Sequence, residues 1–328
     1  MLRRRAVLKT AFAGALGVTV PRLALAGPPL RIGVLRFGSF SWALDVMRRH
    51  GFDAAAGVAL DMRPYAGSPA AQVALQAGEV DLILQDWLWV ARQRGGGADW
   101  SFIPFSSALG SVIVPATSPI RALSDLAGQR LGVAGSALDK SWLILRAYAE
   151  RHDHLDLAHA TRPSFGAPAL LGEELRAGRL DAELTFWPFA ARAEAAGMRR
   201  VLAMETAVAG LGIAPEVPFV GYVFSARWAE AHRGLLDGFV AAAAKAQALL
   251  ATSDAEWDAI APLTGAANAA ELEKLRDAYR AGIPRLSPAA NEAAASALFQ
   301  VLAATGGAAL VGDAKALAPG TFWQAGLS

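Results

Sequence analysis

One seven-residue pattern occurs twice in this chain, as LQAGEVD at residues 75–81 and as LRAGRLD at residues 175–181. In each copy a helix-forming stretch ends at a glycine, and an acidic residue then leads into an apolar run that is typical of a strand. Because this step from helix through glycine to strand recurs one hundred residues later, the sequence indicates two lobes built on one plan.

Strand and helix patterns alternate around both copies. Apolar runs at 30–35, 60–63 and 80–84 each precede a helical pattern, and the alternation restarts at 112–114 and 126–133. Strands that alternate with helices over short loops are typical of mainly parallel sheets covered on both faces. The sequence therefore predicts an α/β fold with two similar lobes.

The order of these patterns divides the chain into segments. We expect residues 27–114 and 220–328 to form the first lobe and residues 115–219 to form the second. Everything after Ala226 has helical patterns, and the last of them covers residues 288–304. Such a helical tail has no sheet of its own, so we expect these C-terminal helices to pack on the first lobe.

The first 26 residues resemble an export signal. They contain five of the 31 basic residues and no acidic residue, and a twin arginine, Arg4 and Arg5, precedes a short apolar run and the sequence ALA at 24–26. This pattern predicts a twin-arginine-type signal peptide, cleaved after Ala26, and a periplasmic protein. The rest of the chain has 26 basic and 29 acidic residues, which argues against a nucleic-acid partner.

Several chemistries are excluded or disfavoured by composition. The chain contains no cysteine, which excludes disulfides, thiolate metal sites and a thiol nucleophile. The histidines and aspartates at 152–159 are residue types that bind metals. They follow a helical pattern and lie in a polar stretch, however, which indicates a solvated turn. After the signal no stretch reaches about 20 apolar residues without a charge, because Lys245 interrupts the alanine-rich run from Phe239, so no membrane span is expected. No metal or cofactor is expected either.

The sequence LSDLAGQRLGV at 123–133, the two copies of the seven-residue pattern at 75–81 and 175–181, and the export signal together resemble a known family. They are similar to the periplasmic substrate-binding proteins of ABC importers, in the branch that binds nitrate, taurine, sulfonates and thiamine precursors. The resemblance covers nearly all of residues 30–260 and implies a type II binding-protein fold. It also implies two strands that cross between the lobes near 110–119 and 218–224, a cleft that closes on its ligand, and an ABC permease as partner. A monomer is expected.

Ligands of such open α/β sheets lie beyond the carboxyl ends of the strands. The loops at those ends are rich in aromatic residues and hydroxyls, and four of the nine tryptophans lie on or just after them. For any single aromatic residue, packing in a core is the alternative to ligand contact. The candidate ligand-binding residues are Phe37, Ser39, Phe40, Trp42, Tyr65, Asp86, Trp87, Ser111, Ser136, Asp139, Lys140, Trp142, Phe165 and Trp187.

The charge of the ligand is left open by these residues. Asp86 and Asp139 lie at helix starts, where a carboxylate caps the helix, but with aromatic faces nearby they could also hold a cationic or heteroaromatic ligand. Lys140 and Arg36 could instead receive a sulfonate or carboxylate.

The leading hypothesis is an exported protein that binds a small organic solute and delivers it to an ABC permease. The alternative is an accessory or sensor protein that hands its ligand to a periplasmic enzyme or receptor. An enzyme on the same fold is disfavoured, because the expected cleft loops contain none of the five histidines, which are His50, His152, His154, His159 and His232.

Overall fold

The structure, a computed structural model, describes residues 28–35 and 38–324. The expected signal peptide, Arg36 and the candidate site residue Phe37 lie outside the described residues. The strands are, in chain order, β1 (Leu30–Leu35), β2 (Leu60–Tyr65), β3 (Leu82–Gln85), β4 (Trp100–Ser106), β5 (Ser111–Val114), β6 (Arg130–Ala134), β7 (Arg162–Gly166), β8 (Ala182–Thr185), β9 (Arg199–Ala203) and β10 (Val220–Ser225).

The helices surround these strands and dominate the last third of the chain. They are α1 (Ser39–Arg49), α2 (Phe52–Ala55), α3 (Ser68–Gln76), α4 (Trp87–Gly95), α5 (Lys140–Asp153), α6 (Leu157–Ala160), α7 (Pro168–Arg176), α8 (Trp187–Ala195), α9 (Met204–Gly210), α10 (Ala226–Ala231), α11 (Arg233–Thr252), α12 (Asp254–Thr264), α13 (Ala269–Ala281) and α14 (Pro288–Val311).

The strands form two sheets with the same topology. The first sheet has the order β2-β1-β3-β10-β4 and the second the order β7-β6-β8-β5-β9. In each sheet one strand, β10 or β5, runs antiparallel to both of its neighbours, while the other neighbouring pairs are parallel. The predicted α/β fold with two lobes on one plan is therefore confirmed.

The two antiparallel strands mark where the chain crosses between the lobes. The expected boundary after residue 114 assigns β5 to the first lobe, whereas β5 pairs with β8 and β9 in the second sheet. The first crossing therefore lies in the short link between β4 and β5. The return to β10 brings residues 220–225 back into the first sheet.

The seven-residue pattern at 75–81 and 175–181 has the same structural role in both lobes. Asp81 accepts hydrogen bonds from the backbone nitrogen and Nε of Arg31 at 2.9 and 3.0 Å. Asp181 accepts the equivalent bonds from Arg130 at 2.8 and 2.9 Å. Each arginine also donates to the carbonyl of the glycine in this pattern. Asp81 thus links the start of β3 to the start of β1, and Asp181 links the start of β8 to the start of β6. These contacts lie at the amino ends of the parallel strands, away from the carboxyl ends.

The C-terminal helices pack on both lobes. Helices α11 and α12 pack on α1 of the first lobe, as expected, but α13 packs along α8 and α14 along α5, which both belong to the second lobe. The buried residues of α14 recur every three or four positions from Asn291 to Leu302, as expected of a helix that packs through one face. Its Leu298 and Phe299 lie in the same hydrophobic core as Trp142 and Leu143 of α5.

Length and composition alone would let two of the described helices, α11 and α14, cross a membrane. In this structure they pack against α1 and α5 as helices of the fold.

Candidate ligand-binding cleft

The strand-end loops of the two lobes contact each other at two places, and the region between these loops is the candidate cleft. Lys140 Nζ of α5 lies 3.2 Å from Asp86 Oδ2 at the start of α4. The indole rings of Trp42 on α1 and Trp187 on α8 are 6.0 Å apart, edge to face. Four candidate residues from distant parts of the sequence therefore meet in pairs, one member from each lobe.

The common topology explains this pairing. Helix α1 follows β1 as α5 follows β6, and α4 follows β3 as α8 follows β8. The cleft thus joins α4 to α5 on one side and α1 to α8 on the other. The first side carries the Lys140 and Asp86 ion pair, whereas the second side is mainly aromatic.

On the polar side both acidic candidates cap helices. Asp86 Oδ1 accepts the backbone N–H of Trp89 at 2.8 Å, and Asp139 Oδ1 accepts that of Ser141 at 2.8 Å. The capping role that the sequence allowed for both residues is therefore present. The second carboxylate oxygen of Asp86 remains available to Lys140.

The charge of Lys140 is maintained by these neighbours. Burial disfavours the charged ammonium, but the Asp86 and Asp139 carboxylates outweigh this effect and raise the pKa of Lys140. Burial raises the pKa of the Asp139 carboxyl, against the opposing influence of Lys140. Lys140 is therefore protonated at neutral pH.

On the aromatic side, Trp42 belongs mainly to a packed cluster. Its ring centroid lies 5.8 Å from that of Trp257 and 6.1 Å from that of Tyr279. Its indole Nε1 donates to the carbonyl of Leu263 at 3.2 Å, and the side chain is only 4% exposed. Core packing, the alternative weighed for each aromatic candidate, accounts for most of its surface.

Two cavities flank the start of α8. The front cavity, of about 390 Å³, is lined by Ser39 and Trp42 from the first lobe and by Phe189 and Arg192 from the second. Its remaining wall is the last turn of α12 with the C-cap Gly265, residues 262–265. The hinge cavity, of about 370 Å³, lies beside the crossings and is lined by residues that include Ser111, Trp187, Glu205, Glu216 and Arg285.

The remaining candidates lie away from these two cavities. Trp87 is fully buried and its Nε1 donates to the carbonyl of Pro218 at 2.7 Å. Trp142 is buried against Phe165, whose own side chain is 40% exposed. Phe40 packs against Phe105 and Tyr222.

Two further candidates have local contacts. The Ser136 hydroxyl accepts the backbone N–H of Leu138 at 3.2 Å. Tyr65 is half-buried against Gly33 of β1. Within the described residues, the structure therefore brings Ser39, Trp42, Ser111, Asp86, Lys140, Asp139 and Trp187 to the cleft or its cavities.

Sequence reasoning missed Arg192 and the turn at 262–265, which line the front cavity. A signal for Arg192 existed, because VAR at 90–92 recurs as AAR at 190–192. Nothing local marked the turn, since it belongs to the tail that was expected to pack on the first lobe.

Comparison with known proteins gives one matching family model and several similar structures. The model, described as NMT1/THI5 like, matches residues 44–255. The periplasmic aliphatic sulphonate binding protein SsuA from Escherichia coli superposes with a TM-score of 0.72 at 21% identity, over 91% of this chain and 93% of that one. A search of curated proteins finds no match.

Two further structures have the same fold. The alkanesulfonate-binding protein SsuA from Xanthomonas axonopodis pv. citri, bound to MOPS, gives a TM-score of 0.65 at 20% identity and covers 90% of this chain and 98% of its own. The desulfurization enzyme DSZB gives 0.60 at 17% identity, over 85% and 92%. At these identities the similarity concerns the fold alone.

Proposed function

Because the chain belongs to the NMT1/THI5-like family, we propose that it is an exported, periplasmic solute-binding protein that captures a small organic ligand between its lobes and delivers it to an ABC permease. The observation that carries the proposal is the meeting of strand-end loops from both lobes, through Lys140 with Asp86 and Trp42 with Trp187. A ligand bound there contacts both lobes and stabilises the closed form by its higher affinity for it. The protein acts as a monomer in this proposal.

Binding is favoured over catalysis by the position of the histidines. Fold alone does not separate the two functions, since one fold hosts many activities. Hydrolytic or acyl-transfer chemistry needs a base beside its nucleophile. In the described part of the chain, His50 pairs with Glu256, His159 with Asp156, and His152 contacts the Gly210 carbonyl, all away from the cleft.

We further propose that the ligand is a small organic anion of the sulfonate or carboxylate class. Four helices, α1, α4, α5 and α8, begin at the cleft, and helix N-termini favour negative charge. Asp86 and Asp139 already cap α4 and α5, whereas α1 and α8 have no side-chain cap. The uncapped helix starts carry Ser39 and Trp187, so the anionic head is placed there.

The rest of such a ligand fits the front cavity. Trp42, Phe189 and Leu263 give this cavity an apolar wall next to Ser39. An anion with a short apolar body would place its head at the helix starts and its body against these side chains. The alternative, a cationic ligand, would displace Lys140 from Asp86 instead.

The first experiment identifies the ligand class. Native mass spectrometry of freshly purified protein tests for a co-purifying molecule, and titration follows tryptophan fluorescence with alkanesulfonates such as MOPS, aromatic carboxylates, quaternary amines and pyrimidines. We expect a response to anions only. Binding of quaternary amines alone, lost in Asp86→Asn, would establish the cationic alternative. An unchanged tryptophan fluorescence with every class of compound would contradict a ligand cleft.

The second experiment tests the position of the anionic head. We expect Ser39→Ala to weaken binding of the anion about tenfold, because it removes a hydroxyl donor to a charged group. Ser41→Ala is the matched control, since the Ser41 hydroxyl donates to the Gly38 carbonyl at 2.6 Å in the same turn. Isothermal titration calorimetry measures both. Equal affinities in the two variants would place the head elsewhere.

A further inference from the structure

The last turn of α12 with its C-cap Gly265, residues 262–265, is held by both lobes at the rim of the front cavity. The first lobe holds it through Trp42, whose Nε1 donates to the Leu263 carbonyl at 3.2 Å. The second lobe holds it through Arg192, whose Nη2 donates to the Thr264 carbonyl at 2.8 Å. Adjacent carbonyls of one turn thus accept hydrogen bonds from opposite sides of the cleft.

Arg192 is fixed in this position by further bonds. Its Nε lies 2.7 Å from Glu271 Oε1 on α13, and its Nη1 donates to the Pro188 carbonyl at 3.2 Å. The Glu271 side chain is only 13% exposed, and its other oxygen accepts the backbone N–H of Ala267 at 3.2 Å. A planar guanidinium that serves three acceptors at once is a geometry that lysine cannot reproduce.

An aromatic cluster joins the same elements. Tyr279 of α13 is buried, and its ring centroid lies 6.1 Å from Trp42 of the first lobe and 6.5 Å from Trp187 of the second. Helix α13 also packs along α8. The contact between the turn and the second lobe is therefore part of a larger interface, in which Arg192 provides the charged bonds.

The turn forms one wall of the cavity proposed for the ligand. It faces the first-lobe residues Ser39 and Trp42 and the second-lobe residues Phe189 and Arg192. Leu263 is 49% exposed and supplies apolar surface to this wall. The turn also lies beyond residue 255, where the match to the family model ends.

We propose that this turn is a third wall of the ligand site, contributed by the C-terminal helices, and that Arg192 is the positioning residue that clasps it to the second lobe. The inference rests on the proposed function only for the identity of the cavity. Because each lobe holds the turn by separate bonds, parting the lobes must break one of the two sets. Loss of the Arg192 bonds therefore favours the open form and releases the ligand faster.

The test measures the distance between the lobes without any ligand. The chain has no cysteine, so Val73→Cys and Leu170→Cys introduce unique sites for spin labels, on α3 of the first lobe and α7 of the second. These side chains are 64% and 58% exposed. Electron paramagnetic resonance should give one narrow distance for the parent protein and a broader, longer distribution after Arg192→Gln.

Matched variants distinguish the loss of the Arg192 bonds, here called the clasp, from the loss of any surface positive charge. Arg179→Gln removes a surface ion pair with Glu174 that lies within the second lobe, and we expect it to leave the distance unchanged. Arg192→Lys should give an intermediate distribution, because it keeps the charge without the planar fork. Exchange of the charges, Arg192→Glu with Glu271→Arg, should bring the distribution of spin-label distances close to the narrow one of the parent protein. Circular dichroism confirms that each variant is folded.

A kinetic measurement addresses the ligand. With MOPS or another anion that binds the parent protein as probe, Arg192→Gln should raise the dissociation rate at least tenfold and change the association rate less than threefold. An unchanged interlobe distance in folded Arg192→Gln overturns the clasp, whatever the ligand. If no probe binds the parent protein, the proposed function fails, and the distance measurement still decides whether the clasp exists.

Discussion

Replacing Gly110 by alanine is expected to lower the free energy of unfolding by about 3 kcal/mol or more. A Cβ atom at this position would lie 1.6 Å from the carbonyl oxygen of Thr185 and 3.0 Å from the Cα of Phe186. Both are backbone atoms at the end of β8, a strand paired on both sides, so no flexible side chain can move away. The overlap must displace either the link between β4 and β5, which contains Gly110, or strand β8, which leads to Trp187.

A glycine in open space provides the control. A methyl group added at Gly234 in α11 would meet no other atom within 4 Å, so Gly234→Ala should be neutral or stabilise the helix by up to about 1 kcal/mol. Urea denaturation measures both variants. Gly110→Ala as stable as the parent protein would contradict the close approach of the crossing to β8.

A buried carboxyl, Glu183 of β8, gives the second large effect. Its side chain lies beneath α7 and is only 3% exposed, and its Oε1 has no hydrogen-bond partner within residues 28–35 and 38–324. Burial raises the pKa of Glu183 to about 7, against the smaller opposing effects of Thr185 and Arg176. The ordinary value for a glutamate is 4.5.

This raised pKa makes the protein less stable as the pH rises. Below pH 4.5 the carboxyl is protonated in both the folded and the unfolded chain. Between about pH 4.5 and 7 only the unfolded chain loses the proton, so Glu183 reduces the free energy of unfolding by about 3 kcal/mol in total. Above about pH 7 the difference stays constant.

Glu183→Gln should remove this dependence on pH. We expect the variant to exceed the parent protein in stability by about 3 kcal/mol at about pH 8, and to match it near pH 4.5. Urea denaturation at both pH values gives the comparison. Glu173→Gln, on the exposed face of α7, should keep the parent's decline between the two values. An identical decline in Glu183→Gln would show that the carboxyl is ionised at no cost.

Local features of the cleft were predictable from the sequence, whereas its contacts across the lobes were not. Asp86 and Asp139 were identified as helix caps because capping depends on residues two or three positions away. Their relation to Lys140 was not predictable, since Asp86 and Lys140 lie far apart in the chain and are brought together by the tertiary structure. The same holds for Arg192 with Glu271.

The aromatic candidates show where sequence reasoning reached its limit. Tryptophans at strand ends were expected near the ligand, and Trp42 and Trp187 do line the cavities. Trp87 and Trp142 also lie in the first turns of helices, yet neither lines the front or the hinge cavity. A helix start fixes the position of a residue along the chain, but whether its ring faces the cleft or the sheet depends on the elements packed around it.

The sequence by itself determined that this protein has two lobes of one design, because strand periodicity, glycine turns and the repeated seven-residue pattern act over a few residues. The tertiary structure alone decided that β5 belongs to the second sheet, that the C-terminal helices cover both lobes, and that Arg192 and the turn at 262–265 border the cavity. These features depend on how two sheets are placed relative to each other. That placement is set by the crossings and by the apolar faces of the tail, which no local pattern encodes.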